Sequence, residues 1–536
     1  MIQTHSVIKT NLISYTNTDF RYVNSHWLSE VIFYWIFKQA GFYGLIVLTT
    51  IVSALSLGII FVFSIKRLPL VSCILTSCIY LFLILDRTDI RPEIFSYLFL
   101  SIFIVILYKF RQKYTKLIFL LIPLEILWVN LHINFLIGII LIFLFVLDDL
   151  FSNKLRINLK TKTLFWVFLL TAASAIVNPN GIKGALFPLT FYQNFAFPVE
   201  ENQNFFTLGS IFNYATLLPL EIPIFILFLL LLIQRKKSDL IDYLLFIVFG
   251  GLIFIAVRNI SLFAYATFFT FAKLFSPTLK FFVIKLKKII LENKYFVLKT
   301  FGMLMLCLLL IVNIIRSVSL NGFGLGINDN GKNALDFFVK NDLKGPIYND
   351  FDFGEYIAYR LYPEEKVFVD ARPEAYPKEF FENVYIPMSQ DVSTFLKFSN
   401  LYKFNSIILS TWNSPISKNK FLSYLINDKK SGFALVYFDD YAVILVRKNS
   451  SNRYLIRKLS VDKNNFNPNS ISDIKKLTMY IFFFEKVGWK NQEIKTYNRL
   501  KILDPSNCSL KASLYVFSPK YAKLRYINPD LSKKCI

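Results

Sequence analysis

The sequence predicts an α-helical polytopic membrane bundle of about ten spans, followed by a small α/β domain and a C-terminal helical hairpin. Three observations predict it. Hydrophobic residues make up 55% of the 536 residues and mean hydropathy is +0.47, against roughly 45–50% apolar in an ordinary soluble domain. The excess is localised: it fills residues 31–316, while 317–536 reads as globular sequence. Every second connection between apolar runs is rich in Lys or Arg, as it is where alternate loops face the cytoplasm. The net charge of +24 would suit nucleic acid, but these cations sit in short loops between apolar runs. The lipid bilayer is the expected partner, and no nucleic acid is.

Taken in order, the candidate spans are 43–65, 68–85, 94–110, 117–131, 134–148, 163–177, 217–234, 239–257, 259–276 and 297–316. Several fall short of the ~20 residues of a full span, which bundles that line a cavity tolerate. The 117–131 run carries Pro123 and Glu125, with His132 just beyond it. Residues 31–42 are apolar and aromatic. They read either as an interfacial helix with Tyr34 and Trp35 at headgroup level or as the start of the first span. The basic loops are Lys66-Arg67, 109–116, 154–162, 235–237 and 280–299. The alternate set faces outward: residues 1–30, 86–93, the His132 region, 178–216, Arg258 and everything after 316. The expectation is therefore a multi-pass protein of the cytoplasmic (inner) membrane with an extracytoplasmic C-terminal domain. Residues 1–30 lack a basic region followed by an apolar core, so they do not read as a signal peptide. The domains expected are an N-terminal loop (1–30), the bundle (31–316), an α/β domain (317–450) and a helical tail (451–536).

In the α/β domain, strands are expected at 347–348, 367–370 and 406–410, with a hairpin of 433–438 and 441–447 turned by Asp439-Asp440. Helices near 354–361, 378–386, 391–400 and 418–427 alternate with them, which indicates a parallel-type sheet with an antiparallel edge. Residues 477–487 and 492–502 read as two amphipathic helices about a Gly488 turn, similar to a single tetratricopeptide-type repeat. One repeat cannot bury its own face, so it should dock on the α/β domain. Cys73, Cys78 and Cys307 lie in apolar runs as packing residues. Cys508 and Cys535 could pair in an oxidising compartment, and no metal-ligand spacing is present.

The outer-facing set holds the candidate chemistry. The stretch from Asp86 to Glu93 carries five charged side chains in eight residues, and charge kept so close to lipid marks a candidate site. Asp19, His26 and Glu30 come from the N-terminal loop, Asn130 and His132 from the third outer loop, and Arg258 stands between two helix ends. An Arg fork binds a phosphate in bidentate fashion. A carboxylate acts as a base or holds a divalent cation, the only cofactor these residues suggest. Asp86, Asp89, Glu30 and Asp19 are the catalytic candidates. Arg87, Arg91, Arg258, His132, Asn130 and His26 are the substrate-binding ones. The competing reading is structural: the Asp–Arg pairs neutralise one another, Pro92 and Glu93 cap a helix, and 178–181 (Asn-Pro-Asn-Gly) is a turn.

The stretches ISYTNTDFRYVNSHWLSEVIFYWIF, DIRPEIFSYLFL, LWVNLHINFLIG, NPNGI, RNISLFA and YNDFDFGEYIAYRLYPEEKVFVDARPEAY together resemble a family of bacterial polytopic proteins placed among the GT-C-type glycosyltransferases. The resemblance runs from about residue 13 to 376. It implies transfer of a sugar from a polyprenyl-phosphate donor to an envelope glycan or protein acceptor, with an outer-face carboxylate soon after the first helix. It also implies that this first helix precedes residue 1. Two positions depart from the family pattern. Asn11 stands where relatives tend to have Asp, and Ser25-His26-Trp27-Leu28 stands where they tend to read His-Glu-Trp-Leu. The alternative function is a non-catalytic membrane-anchored binding or assembly module, including a truncated, inactive transferase. A lipid-linked sugar transporter would need an internal repeat, and the two halves show none.

Overall fold

In the computed structural model of the protein, the described residues are 1, 5–84, 87, 89–190, 197, 202–204, 207, 214–289, 308, 311–312, 314–315, 330–411 and 420–505. They fall into two compact units. The first is helical and takes its residues from 1–8, 23–192 and 198–327. The second takes its residues from 9–22, 193–197 and 328–536.

The helical unit runs α1 (Trp27–Ile65), α2 (Leu70–Ile84), α3 (Glu93–Gln112), α4 (Leu121–Leu131), α5 (Leu136–Ser152), α6 (Leu159–Ser174), α7 (Gly181–Thr190), α8 (Tyr214–Ile233), α9 (Leu240–Ile255) and α10 (Ile260–Ile289). Four segments are long and apolar enough to cross a membrane: Trp27–Ile65, Glu93–Gln112, Ile133–Ser152 and Val257–Phe281. They suggest a membrane protein. Leu70–Ile84, Glu221–Ile233 and Leu240–Ile255 are shorter apolar helices. The expected span at 297–316 lies largely outside the described residues, as do Cys307, Cys508 and Cys535.

α1 is two helical pieces. Gly41 has φ 59°, ψ −154° inside it, a conformation that costs glycine little. The aromatic stretch expected at 31–42 is thus a piece of its own, and it leaves Tyr34 and Trp35 exposed. α3 and α10 form the centre: Leu100, Phe103, Ile104, Leu107, Phe263, Phe268 and Phe271 are fully buried, and Tyr97 stacks on Tyr265 at 5.1 Å.

One end of the unit is tied by charge. Arg111 Nε donates to Asp148 Oδ2 at 2.6 Å and its Nη1 to Asp239 at 3.4 Å. Lys273 bridges Asp239 and Asp242, the latter at 2.7 Å, and Asp242 also accepts from Thr270. Asp148 and Asp242 are buried. Such groups are tolerated only when paired and hydrogen-bonded, and here the pairing joins α3, α5, α9 and α10.

The second unit contains α11 (Lys332–Lys340), β1 (Ile347–Asn349), α12 (Phe351–Leu361), α13 (Val392–Leu401), β2 (Ser406–Ser410), α14 (Lys420–Asn427), β3 (Phe433–Phe438), β4 (Ala442–Arg447), α15 (Arg453–Leu459), α16 (Ile474–Val487) and α17 (Lys490–Leu503). Short helical turns fill 378–390. The sheet order is β1-β2-β4-β3. β1 pairs parallel with β2, Ile347 opposite Ser406, while β4 pairs antiparallel with both β2 and β3. The sheet is therefore mixed.

The strand expected at 367–370 is not part of that ladder. Asn349 replaces the backbone pairing with its side chain: Oδ1 accepts from Phe368 N at 2.9 Å and Nδ2 donates to Val369 O at 2.7 Å. Gly354 lets α12 approach this segment, since a Cβ there would lie 2.1 Å from Val369 O.

The N-terminal loop divides at the same place. Residues 9–22 belong to the second unit. Tyr15 N donates to Val367 O at 3.1 Å, Ser14 Oγ to Phe368 O at 3.0 Å and Tyr15 OH to Ile347 O at 2.8 Å. The helical hairpin docks as its single-repeat pattern requires. Asn427 Nδ2 donates to Val487 O, Trp489 Nε1 donates to Asn427 Oδ1, and Phe438 of β3 packs on Phe483, Phe484 and Trp489. Gly488 turns it with φ 77°.

Candidate functional site

The other end of α3 starts the polar cluster. Pro92 and Glu93 open that helix as the capping pattern predicts. Glu93 then turns its carboxylate to Arg87: Arg87 Nε donates to Oε1 at 2.9 Å and Nη2 to Oε2 at 2.8 Å. The two side chains are only 9% and 10% exposed.

One turn further, Ser96 joins α3 to the break between α4 and α5. Trp128 Nε1 donates to Ser96 Oγ at 2.8 Å, so the Ser96 hydroxyl is left to donate to His132 Nδ1, also 2.8 Å away. Asn134 N points at the same nitrogen. His132 Nδ1 is thus an acceptor, and the ring proton belongs on Nε2. His132 itself adopts extended backbone, φ −158°, ψ 145°, which ends α4.

His26 lies against this ring, with centroids 5.1 Å apart and planes tilted by 50°. Asn24 fixes its backbone and reaches Glu30: Asn24 Oδ1 accepts from His26 N at 3.1 Å and Nδ2 donates to Glu30 Oε2 at 2.9 Å. Ser29 Oγ donates to Leu131 O, pinning α1 to the end of α4. Arg258, partly buried before α10, lies close enough for its charge to act on both rings. Burial, then Arg258, pushes His26 down to about 4. Burial, then His26, Arg258 and Arg87, holds His132 well below the usual histidine range. Both rings are neutral at pH 7 and within reach of the Arg258 charge, while Glu30 is held by Asn24 on the segment that carries His26.

The sequence candidates divide on this geometry. His26 and His132 come together within reach of the Arg258 charge, and Glu30 is tied to Asn24 beside His26 in the chain. Arg87 is close by, with its fork on Glu93. Asn130 is also committed: Oδ1 accepts from Trp27 Nε1 at 2.8 Å, and Nδ2 donates to Ile126 O and Val177 O. These contacts hold α1, α4 and the end of α6 together. Asp89 is 67% exposed and lies 3.7 Å from Arg91 Nε, so this pair behaves as a surface ion pair. Asp19 is exposed and belongs to the second unit. Asp86 lies outside the described residues. No group of three or more His, Cys, Asp or Glu among the described residues could hold a metal ion, so the divalent-cation expectation finds no described donor set.

Ser96, Trp128 and Asn24 organise the site, and sequence reading missed them. The signal available was the spacing of Trp128 and His132, one turn apart on α4. Asn178 makes the predicted turn, with Nδ2 donating to Ala175 O and Gly181 O. Beside the cluster, an open groove of about 420 Å³ is lined by Trp27, Leu28, Ile126, Leu127, Asn130, Ile176, Val177, Asn178 and Pro179.

Asn11, which departs from the resemblance at a proposed base position, is buried in the second unit. Its Nδ2 donates to Ala375 O at 3.1 Å and its Oδ1 accepts from Arg372 Nη2 at 3.2 Å. Arg372 also forks onto Asp370 at 2.8 Å through Nε and Nη2 and reaches Tyr22 OH. Asn11 therefore anchors residues 9–22. No family model matches the chain, and no curated protein sequence matches it.

Proposed function

We propose that the chain is a membrane glycosyltransferase of GT-C type that moves a sugar from a polyprenyl-phosphate donor to a glycan or protein acceptor at the cell envelope. The observation that carries the reading is the meeting of two neutral imidazoles, His26 and His132, within reach of the Arg258 charge at one end of an apolar helical unit, with the Asn24-bound Glu30 on the segment that carries His26. Arg258 and the His132 Nε2–H would bind the donor phosphate. Glu30 would take the proton of an acceptor hydroxyl. The acceptor oxygen then bonds to the anomeric carbon, and polyprenyl phosphate leaves with the electron pair of the broken C–O bond. The groove along Trp27, Ile126, Leu127, Ile176 and Val177 is mostly apolar and suits an isoprenoid chain.

The topology in this proposal has ten spans in the inner membrane, with the second unit outside. Support comes from the N-terminus. Residues 9–22 fold with 330–505 in one unit, so the chain between them crosses a bilayer an even number of times. Ten spans satisfy that parity.

A second reading, a non-catalytic binding or assembly module, is favoured by one set of facts: Arg87, Asn130 and Asp89, three of the sequence candidates, are held in structural or surface contacts. Incubating the reconstituted protein with labelled polyprenyl-phosphate sugars separates the two. Release of free carrier supports transfer, and binding without release supports the module. Replacing Glu30 by Gln and finding unchanged turnover would remove Glu30 as the base and return that role to Asp89.

A further inference from the structure

The carboxyl that the outer cluster leaves unused is Glu125. It sits on α4 and is 0% exposed. Neither Oε1 nor Oε2 meets a hydrogen-bond partner among the described residues. On the α5 side its neighbours are a glycine and two aromatic rings. A Cβ added to Gly138 of α5 would lie 2.6 Å from Glu125 Oε2, 2.9 Å from the Phe103 ring and 3.0 Å from the Trp128 ring. The carboxyl therefore occupies the space a side chain at 138 would need, and glycine there makes room for it. A carboxylate without cation or donor in such surroundings is too costly to persist, so the group takes up a proton. Ionisable groups inside membrane helices are rare enough to mark function by default. It shares the Gly138 contact with the ring of Trp128, whose indole N–H starts the Trp128–Ser96–His132 chain.

We propose that Glu125 is a proton-binding site inside the helical unit, neutral while α4 and α5 are packed, and able to release H⁺ only when water reaches the Gly138 contact. The proposal stands apart from the transferase reading, because it needs no sugar and no donor lipid.

Infrared spectroscopy of the full chain in nanodiscs tests it. The difference between wild type and Glu125→Gln is expected to show the carbonyl stretch of a protonated carboxylic acid at pH 7, unchanged by sodium chloride. Carboxylate bands in its place at pH 7 overturn the proposal. A carbonyl band that disappears on adding sodium also overturns it, and makes the site one for a metal cation. Labelling of the wild type by dicyclohexylcarbodiimide needs no variant. The acid proton passes to a carbodiimide nitrogen while the carboxyl oxygen bonds to the central carbon, and the adduct rearranges to a stable N-acylurea. Mass spectrometry should place this adduct on Glu125, with at least tenfold less from a water-soluble carbodiimide. Equal labelling by the two reagents would show a carboxyl open to water and overturn the proposal.

Discussion

Replacing Glu93 by Gln removes one half of the Arg87–Glu93 pair and tests whether Arg87 is a structural cation. Both side chains are about nine-tenths buried, and the contact is bidentate at 2.9 and 2.8 Å. Removing one partner of a buried pair costs about 3–5 kcal/mol, because the other charge is left desolvated and unpaired. With about 1.4 kcal/mol per tenfold, even the lower figure corresponds to roughly a hundredfold rise in local opening. Hydrogen-exchange mass spectrometry of the full chain in nanodiscs reads this directly on peptides covering 87–100. Replacing both members, Arg87→Met with Glu93→Leu, should restore most of the protection, since apolar substitutes for a buried pair are often neutral or stabilising. Protection in Glu93→Gln equal to that of wild type would refute the reasoning and free Arg87 to bind phosphate.

Three further outcomes follow from other contacts. Asp350 is buried and accepts from Phe353 N, Ser410 N and Ser410 Oγ, yet burial pushes its carboxyl up from 3.8 to about 6. A carboxyl raised in the folded state contributes stability that is complete below pH ~4 and lost as pH rises through ~6, roughly 3 kcal/mol in all. Exchange at 406–411, corrected for intrinsic rates, should be slower at pH 4.5 than at pH 7 in wild type and lose that dependence in Asp350→Asn. Arg372→Ala takes away the contacts to Asn11, Tyr22 and Asp370, so trypsin should cut at Lys9 and Arg21 at least tenfold faster, with unchanged rates meaning that residues 9–22 are held by other contacts. With Cys508 and Cys535 replaced by Ser, Thr18→Cys and Ser450→Cys should be labelled from one side of the membrane and Ser238→Cys from the other. Opposite labelling of Thr18→Cys and Ser450→Cys would contradict the even number of crossings.

Much of the fold is legible in the sequence because it is periodic. Ser406–Ser410 and the 433–447 hairpin are runs of β-branched and aromatic residues bounded by turns, and they appear where expected, with β4 beginning one residue late. The hairpin of α16 and α17 follows from its two amphipathic runs and Gly488. The 367–370 strand was misread because its pattern is apolar, while its pairing is decided by the Asn349 side chain and by residues 13–15, more than 300 positions away.

The site shows the same limit. Placement of His26, His132 and Arg258 on one end followed from loop order, since each flanks an apolar run. Which polar groups remain available did not. Trp27 against Asn130 is a tertiary pairing, Glu93 against Arg87 is one of several local pairings the 86–93 run allows, and a pattern of charge types cannot distinguish a fork that awaits phosphate from one already filled. The Arg111–Asp148–Asp239–Lys273 network was illegible for the same reason, its members being drawn from four separate helices.

Turnover of a labelled polyprenyl-phosphate sugar by proteoliposomes of the wild type and of Arg258→Ala tests the central claim most directly. Arg258 lies close enough for its charge to act on both imidazoles, and a charge-assisted bond to phosphate contributes about 1.5–3 kcal/mol. The account predicts release of free carrier by the wild type and a loss of at least tenfold in Arg258→Ala, with the exchange pattern of the helices retained. No release by the wild type, or equal release by both proteins, would contradict it.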